Sequence, residues 1–153
     1  MPADLIVRTT DAGKPYLVGD WFPDLGPMPE ISVAHANGEA VAAASAPGQA
    51  VGVDFELYGR IKTPDLLDGG FGPDEQALIQ SGEATESRAL LAWCAKEAAA
   101  KMLGEGLNGR PRQFVLNDMG DGDRSARVDT PARAGIRVTM ADRGSSVVAV
   151  AFD

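Results

Sequence analysis

Asp54-Phe55-Glu56 places two carboxylates at positions i and i+2. In a strand such residues point to one face, so the acids stand side by side while Phe55 turns to the other. Two adjacent carboxylates repel each other, and a divalent cation relieves the repulsion. Hard oxygen donors suit Mg2+ better than a soft metal. The plainer alternative is an edge strand with two solvated acids. Ala50-Val51-Gly52-Val53 argues against it, because so apolar a run predicts an interior strand, where acids need a reason.

A second constellation lies about forty residues on. Trp93, Glu97 and Lys101 are spaced i, i+4, i+8 and form one stripe of a helix. Leu90 and Cys94 flank that stripe, and Leu91, Ala98 and Met102 cover another face. A helix apolar over so much of its circumference is largely buried, which favours a positioned carboxylate and ammonium over a solvated ion pair. His35 ends a small, apolar strand and reads first as a structural residue, with a phosphate contact as the sharper alternative. Cys94 reads as core. Residues 104–109 match G-x-G-x-x-G, but the match follows a helix and precedes a strand, the reverse of a dinucleotide fingerprint, so it is a helix stop and turn. Asp121-Gly122-Asp123 lacks the spacing and closing Glu of a calcium loop and is also a turn.

The elements that must hold these residues fit one domain of 153 residues. Leu5–Thr10 alternates as a short edge strand. Residues 11–30 carry four prolines and predict an ordered loop, with Tyr16, Trp21 and Phe22 to bury. Ile31–His35 and Ala40–Ser45 flank Asn37-Gly38, the strongest short hairpin signal, and Ala50–Leu57 would complete an antiparallel meander. Thr63-Pro64-Asp65 caps one helix and Gly72-Pro73-Asp74-Glu75 opens a second; a third runs from Thr85 to Leu103, stopped by Gly104. Strands around Gln113–Leu116, Ile136–Met140 and Ser146–Phe152 follow, with residues 117–124 as a Gly/Asp turn. The class is α+β, a mostly antiparallel sheet with helices packed on one side.

Composition narrows the function. Twenty-two acidic against 14 basic residues give a net charge of −8, which argues against nucleic acid or an anionic membrane as partner. The longest uncharged stretch, Ala40–Val53, is too short and too rich in small residues to span a bilayer. Pro2 and Asp4 do not suit a signal peptide. One cysteine and one histidine leave no disulfide and nearly exclude a zinc site of the usual type. The expected address is the cytoplasm. Residues 1–59 hold only Arg8 and Lys14 as basic side chains, so an anionic ligand would be met in the more basic middle segment.

Taken together and in order, Gly13-Lys14-Pro15, the strand 31–36 around His35, Gly52-Val53-Asp54-Phe55-Glu56 and the run from Trp93 to Lys101 resemble the motif series of 4′-phosphopantetheinyl transferases. The family patterns are G-K-P, a Ser-His-Ser-like strand, G-V-D-[IVLF]-E and W-x-x-K-E-A-x-x-K, and Gly104-Glu105-Gly106-Leu107 resembles the G-x-G-L that often follows. The resemblance implies an enzyme that moves the phosphopantetheine arm of coenzyme A onto a serine of an apo acyl or peptidyl carrier protein, releasing 3′,5′-ADP. It further implies Mg2+ held by Asp54, Glu56 and Glu97, with Glu97 also a candidate base. Lys101 would contact the pyrophosphate, His35 the 3′-phosphate, and Lys14 with Pro15 the nucleotide end. Trp93 and Lys96 are left as supporting residues. Carrier proteins are usually acidic, so Arg60, Lys62, Arg88, Arg110 and Arg112 are expected to dock them.

The pattern is incomplete in two respects. Ala34 and Ala36 stand where the family has hydroxyls, and only twelve residues precede Gly13. This leaves a second reading open, a non-catalytic coenzyme A or carrier-protein docking module that keeps the fold. In the family, coenzyme A lies between two similar halves. Residues 52–153 have room for one half and residues 1–51 only for part of another. The hairpin 31–45 is therefore expected to lack cover, to be supplied by an upstream synthase domain or by self-association.

Overall fold

The computed structural model describes residues 4–20, 26–120 and 122–153. The strands are β1 (Leu5–Thr9), β2 (Pro15–Gly19), β3 (Glu30–Ala36), β4 (Glu39–Ser45), β5 (Val51–Leu57), β6 (Val115–Gly120), β7 (Ser125–Asp129), β8 (Ile136–Asp142) and β9 (Ser146–Phe152). The helices are α1 (Thr63–Gly70), α2 (Pro73–Gln80) and α3 (Thr85–Met102). An antiparallel sheet of order β5-β9-β8-β7-β6 forms the centre, and β1–β2 and β3–β4 are separate two-stranded ribbons. The α+β class with helices on one side is what the chain adopts.

Each face of the central sheet has its own core. Leu116, Ala126, Val128, Ile136, Val138, Met140, Val147, Ala149 and Ala151 turn to the helices. On the opposite face Val53, Phe55, Val148 and Val150 pack against Ala34, Ala36, Val41 and Ala43 of the β3–β4 ribbon. The ribbon closes through Asn37 (φ 49°) and Gly38 (φ 82°), the positive-φ pair that a tight hairpin turn demands. Its inner face is thus covered by the sheet, contrary to the expected bare hairpin, and its outer face stays exposed at Val33 and His35.

Several expected elements are displaced. There is no β3–β4–β5 meander: β5 pairs with β9, and it is the outermost strand of the ladder. It reads as interior because α3 and the ribbon cover its two faces. The proline-rich segment contains β2, whose residues pair with β1; Trp21 and Phe22 lie outside the described residues. Residues 117–120 continue β6 instead of turning. β7 went unforeseen because its alternation is only five residues long and offers just Ala126 and Val128 as apolar residues. α1 is preceded by Lys62 at its cap, with Thr63 already helical.

α3 owes its length to an alanine-rich run, which costs little side-chain entropy. It ends in a Schellman motif: Gly104, at φ +77°, donates its N–H to Lys101 and Glu105 donates to Ala100. The G-x-G-x-x-G stretch is therefore a helix stop. Lys96 is fully buried, 2.6 Å from Glu75 and bonded to the carbonyls of Gly70 and Pro111, with its ammonium 4.4 Å from the Phe71 ring centroid. Glu75 also accepts from the N–H groups of Gly72 and Leu116. One buried ion pair thereby ties α3 to both shorter helices and to β6.

Candidate active site

The site forms where α3 crosses β5, and Gly52 makes the crossing possible. A Cβ at that position would stand 2.0 Å from the Ala98 carbonyl oxygen and 2.4 Å from the Met102 nitrogen, so only glycine lets the helix backbone lie this close. Two residues on, Asp54 faces the helix, 6% exposed. Its Oδ1 accepts a hydrogen bond from Lys101 Nζ at 2.8 Å. Its Oδ2 is buried and has no hydrogen-bond partner, although the Cys94 thiol lies beside the carboxylate.

Glu56 and Glu97 complete a group of three acids, and the Asp54 charge acts on both of the others. Burial raises the Asp54 pKa above the ordinary carboxylate value, opposed by Lys101. Burial and then the Asp54 charge raise Glu56, opposed by Arg60, which donates to it at 3.1 Å. Burial first, then Asp54, push Glu97 up to about 7. Burial likewise pushes the Cys94 thiol well up, and Asp54 adds to the effect, so the thiol stays protonated and inert. Among the described residues, no three acid, His or Cys side chains already converge as a metal cage. Lys101 pairs with Asp54 and Arg60 with Glu56.

Lys101 also lines a cavity of about 150 Å³ on its other side. The remaining walls are residues 12–15 with Lys14 and Pro15, Ser32 and Val33 of β3, and residues 104–106. Lys14 Nζ pairs with Glu30 at 2.9 Å, and its Cδ lies 3.3 Å from where a Cβ on Gly104 would be, so the G-K-P turn packs directly on the helix stop. Ser32 is buried and accepts the Val53 N–H at 3.0 Å, fixing β3 to β5 beside the cavity. The structure thus brings together Lys14, Pro15 and Lys101 around one cavity, and Asp54, Glu56, Glu97 and Lys101 around one acid cluster.

Two expectations fare differently. His35 is exposed on the outer face of the ribbon and does not line the cavity. Arg88 is no docking residue: it is 8% exposed and donates to the carbonyls of Leu78 and Ile79 and to Asp123, anchoring the end of α2. Ser32 was not assigned a role from sequence, and Gly104 and Gly106, read as a helix stop and a G-x-G-L turn, were not placed at the site. Strand alternation could have flagged Ser32, which shares a face with Ala34 and Ala36.

The model of the 4′-phosphopantetheinyl transferase superfamily matches residues 50–151. Among solved structures, the holo-[acyl-carrier-protein] synthase of Neisseria meningitidis resembles the chain with a TM-score of 0.52 and 16% identity, covering 67% of this chain and 95% of that one. That likeness is one of fold. No curated protein sequence matches. The matched region contains β5 and α3, the two elements that carry the acid cluster.

Proposed function

This chain belongs to the 4′-phosphopantetheinyl transferase superfamily, and on that premise we propose that it transfers the 4′-phosphopantetheine arm of coenzyme A to a serine of an apo carrier protein, releasing 3′,5′-ADP. The observation that carries the reading is the position of Lys101, bonded to Asp54 on one side and lining the Lys14 cavity on the other. One ammonium joins a phosphate-sized recess to three carboxylates.

The acid cluster fits a hard divalent cation. Asp54 has a buried oxygen with no partner, and its charge adds to burial in raising the pKa of Glu56 and of Glu97, an effect that a bound cation would reverse. Asp54, Glu56 and Glu97 would hold Mg2+, which when bound supplies charge neutralisation to the pyrophosphate. Glu97, ionised once the cation is bound, would accept the serine proton directly or through a water molecule. The serine oxygen then forms a bond to the phosphorus bearing the pantetheine arm, and the P–O bond to the nucleotide phosphate breaks. Lys101 and Lys14 stabilise the negative charge that leaves as 3′,5′-ADP, a positioning and neutralising role typical of phosphoryl transfer. Pro15 shapes the wall beside them.

A second reading is a coenzyme A or carrier-docking module without catalysis. It is favoured by Ala34 and Ala36, which offer no hydroxyl and are buried against β5, and by the exposed position of His35. Chromatography of a mixture of protein, coenzyme A, Mg2+ and an apo acyl carrier protein separates the two. The proposed enzyme yields 3′,5′-ADP only when all components are present; binding of coenzyme A without any 3′,5′-ADP release would establish the module instead.

A further inference from the structure

The β3–β4 ribbon covers the outer face of the central sheet only over β5 and β9. On β7 and β8 the same face is open. Two cross-strand pairs stand there, Ser125 opposite Thr139 and Arg127 opposite Arg137. Their neighbours Ala126, Val128, Ile136 and Val138 are buried on the helix side, so both arginines project outward, and both are exposed. Like charges directly opposite each other destabilise a sheet. Among the described residues, neither guanidinium has a carboxylate within ion-pair distance. Even Asp118, the register partner of Arg127 on β6, does not pair with it. A chain with net charge −8 thus keeps two adjacent positive charges on this open face, with no ion-pair partner among the described residues.

The two arginines line a shallow concavity of about 450 Å³ together with Ser125, Thr139, Asp118 and Phe152. Phe152, the last residue of β9, is 44% exposed although the rest of the strand is buried or half-buried. Arginine beside an exposed aromatic is the composition of a protein-binding surface rather than of a solvated one. We infer that this half of the outer face docks an acidic polypeptide segment, with two of its carboxylates on Arg127 and Arg137 and an apolar side chain on Phe152. The guanidinium fork matches a carboxylate bidentately, and the Ser125 and Thr139 hydroxyls add donors. A compact anion would meet the Asp118 carboxylate at the rim, whereas a peptide can turn backbone N–H groups towards it. None of these residues belongs to the Asp54 site, so the inference stands or falls independently of the transfer reaction.

The test is a titration of the full chain, labelled with nitrogen-15, with the acetylated peptide Glu-Glu-Leu-Glu-Glu at low salt. The expected result is movement of the amide signals of residues 125–129, 136–139 and 152. The double variant Arg127→Gln/Arg137→Gln should bind at least about tenfold more weakly, and Arg8→Gln, on the separate β1–β2 ribbon, should bind as the wild type does. Because the substitution relieves a repulsion, the double variant should melt no lower than the wild type; if it melts lower, Arg137→Gln alone is held to the same criterion. Undiminished binding by the variant, shifts confined to other residues, or no binding overturns the inference. So does inorganic phosphate binding as tightly as the peptide, which would make this a small-anion site.

Discussion

Lys101 Nζ lies 2.8 Å from Asp54 Oδ1 while Asp54 Oδ2, on the same carboxylate, is buried and bare. The contact joins residues 47 apart in sequence and spans the seam between α3 and β5. It sets the electrostatics of the whole cluster, because Lys101 is the nearby cation that offsets the burial of Asp54 and of Glu97.

Glu97 gives the first prediction. Its folded pKa of about 7 lies above the ordinary glutamate value of 4.5, so the folded state prefers the protonated form. The stability this contributes is full below about pH 4.5 and is lost as pH rises through about 7. Glu97→Gln should remove that dependence and, at pH 8, stabilise the protein by about 1–2 kcal/mol after allowance for partial exposure. Urea melts at pH 5 and pH 8 read the difference. Added Mg2+ should raise the melting temperature of the wild type at pH 8 and have less effect on the variant; equal effects would remove Glu97 from the metal set.

Gly52 gives the second. Gly52→Ala drives a methyl group into the α3 backbone, which cannot yield as a side-chain tip would. The expected cost is about 1–3 kcal/mol of stability, with a loss of transfer activity larger than the fall in folded fraction. Guanidinium melts alongside activity assays would show it. Wild-type stability and activity in the variant would mean that helix and strand are not in this register.

The two lysines of the α3 motif should separate. Lys96→Met leaves Glu75 charged and unpaired in the core and should cost about 3–5 kcal/mol. Lys101→Met removes a partly exposed partner, should cost about 1–2 kcal/mol, and should abolish productive use of coenzyme A. Parallel denaturant melts and kcat/KM measurements check the split. A folded, active Lys101→Met protein would exclude Lys101 from the site.

Local chemistry made the site's parts readable from the chain. Period-two alternation put Asp54 and Glu56 on one face, helix spacing aligned Glu97 with Lys101, and Asn37-Gly38 announced its turn. What stayed hidden depended on distant partners. Nothing within residues 51–57 shows that the strand pairs with residues 146–152. Arg88 looked like a surface charge because two of its acceptors are main-chain carbonyls of another helix, invisible to charge counting, and the third, Asp123, is 35 residues away. Gly82 was the faint clue, since a Cβ there would collide with the Arg88 side chain. His35 sits on a face that strand alternation alone could assign to either side, and the packing of Ala34 and Ala36 against β5 decides it.

The central claim is that Asp54, Glu97 and Lys101 form a transfer site rather than a structural knot. The mass of an apo acyl carrier protein after incubation with coenzyme A, Mg2+ and either wild type or Glu97→Gln tests it most directly. The wild type should add one phosphopantetheine to the carrier, and the folded variant should do so at least about a hundredfold more slowly. Equal rates from the two proteins, or no mass change with the wild type, would contradict it.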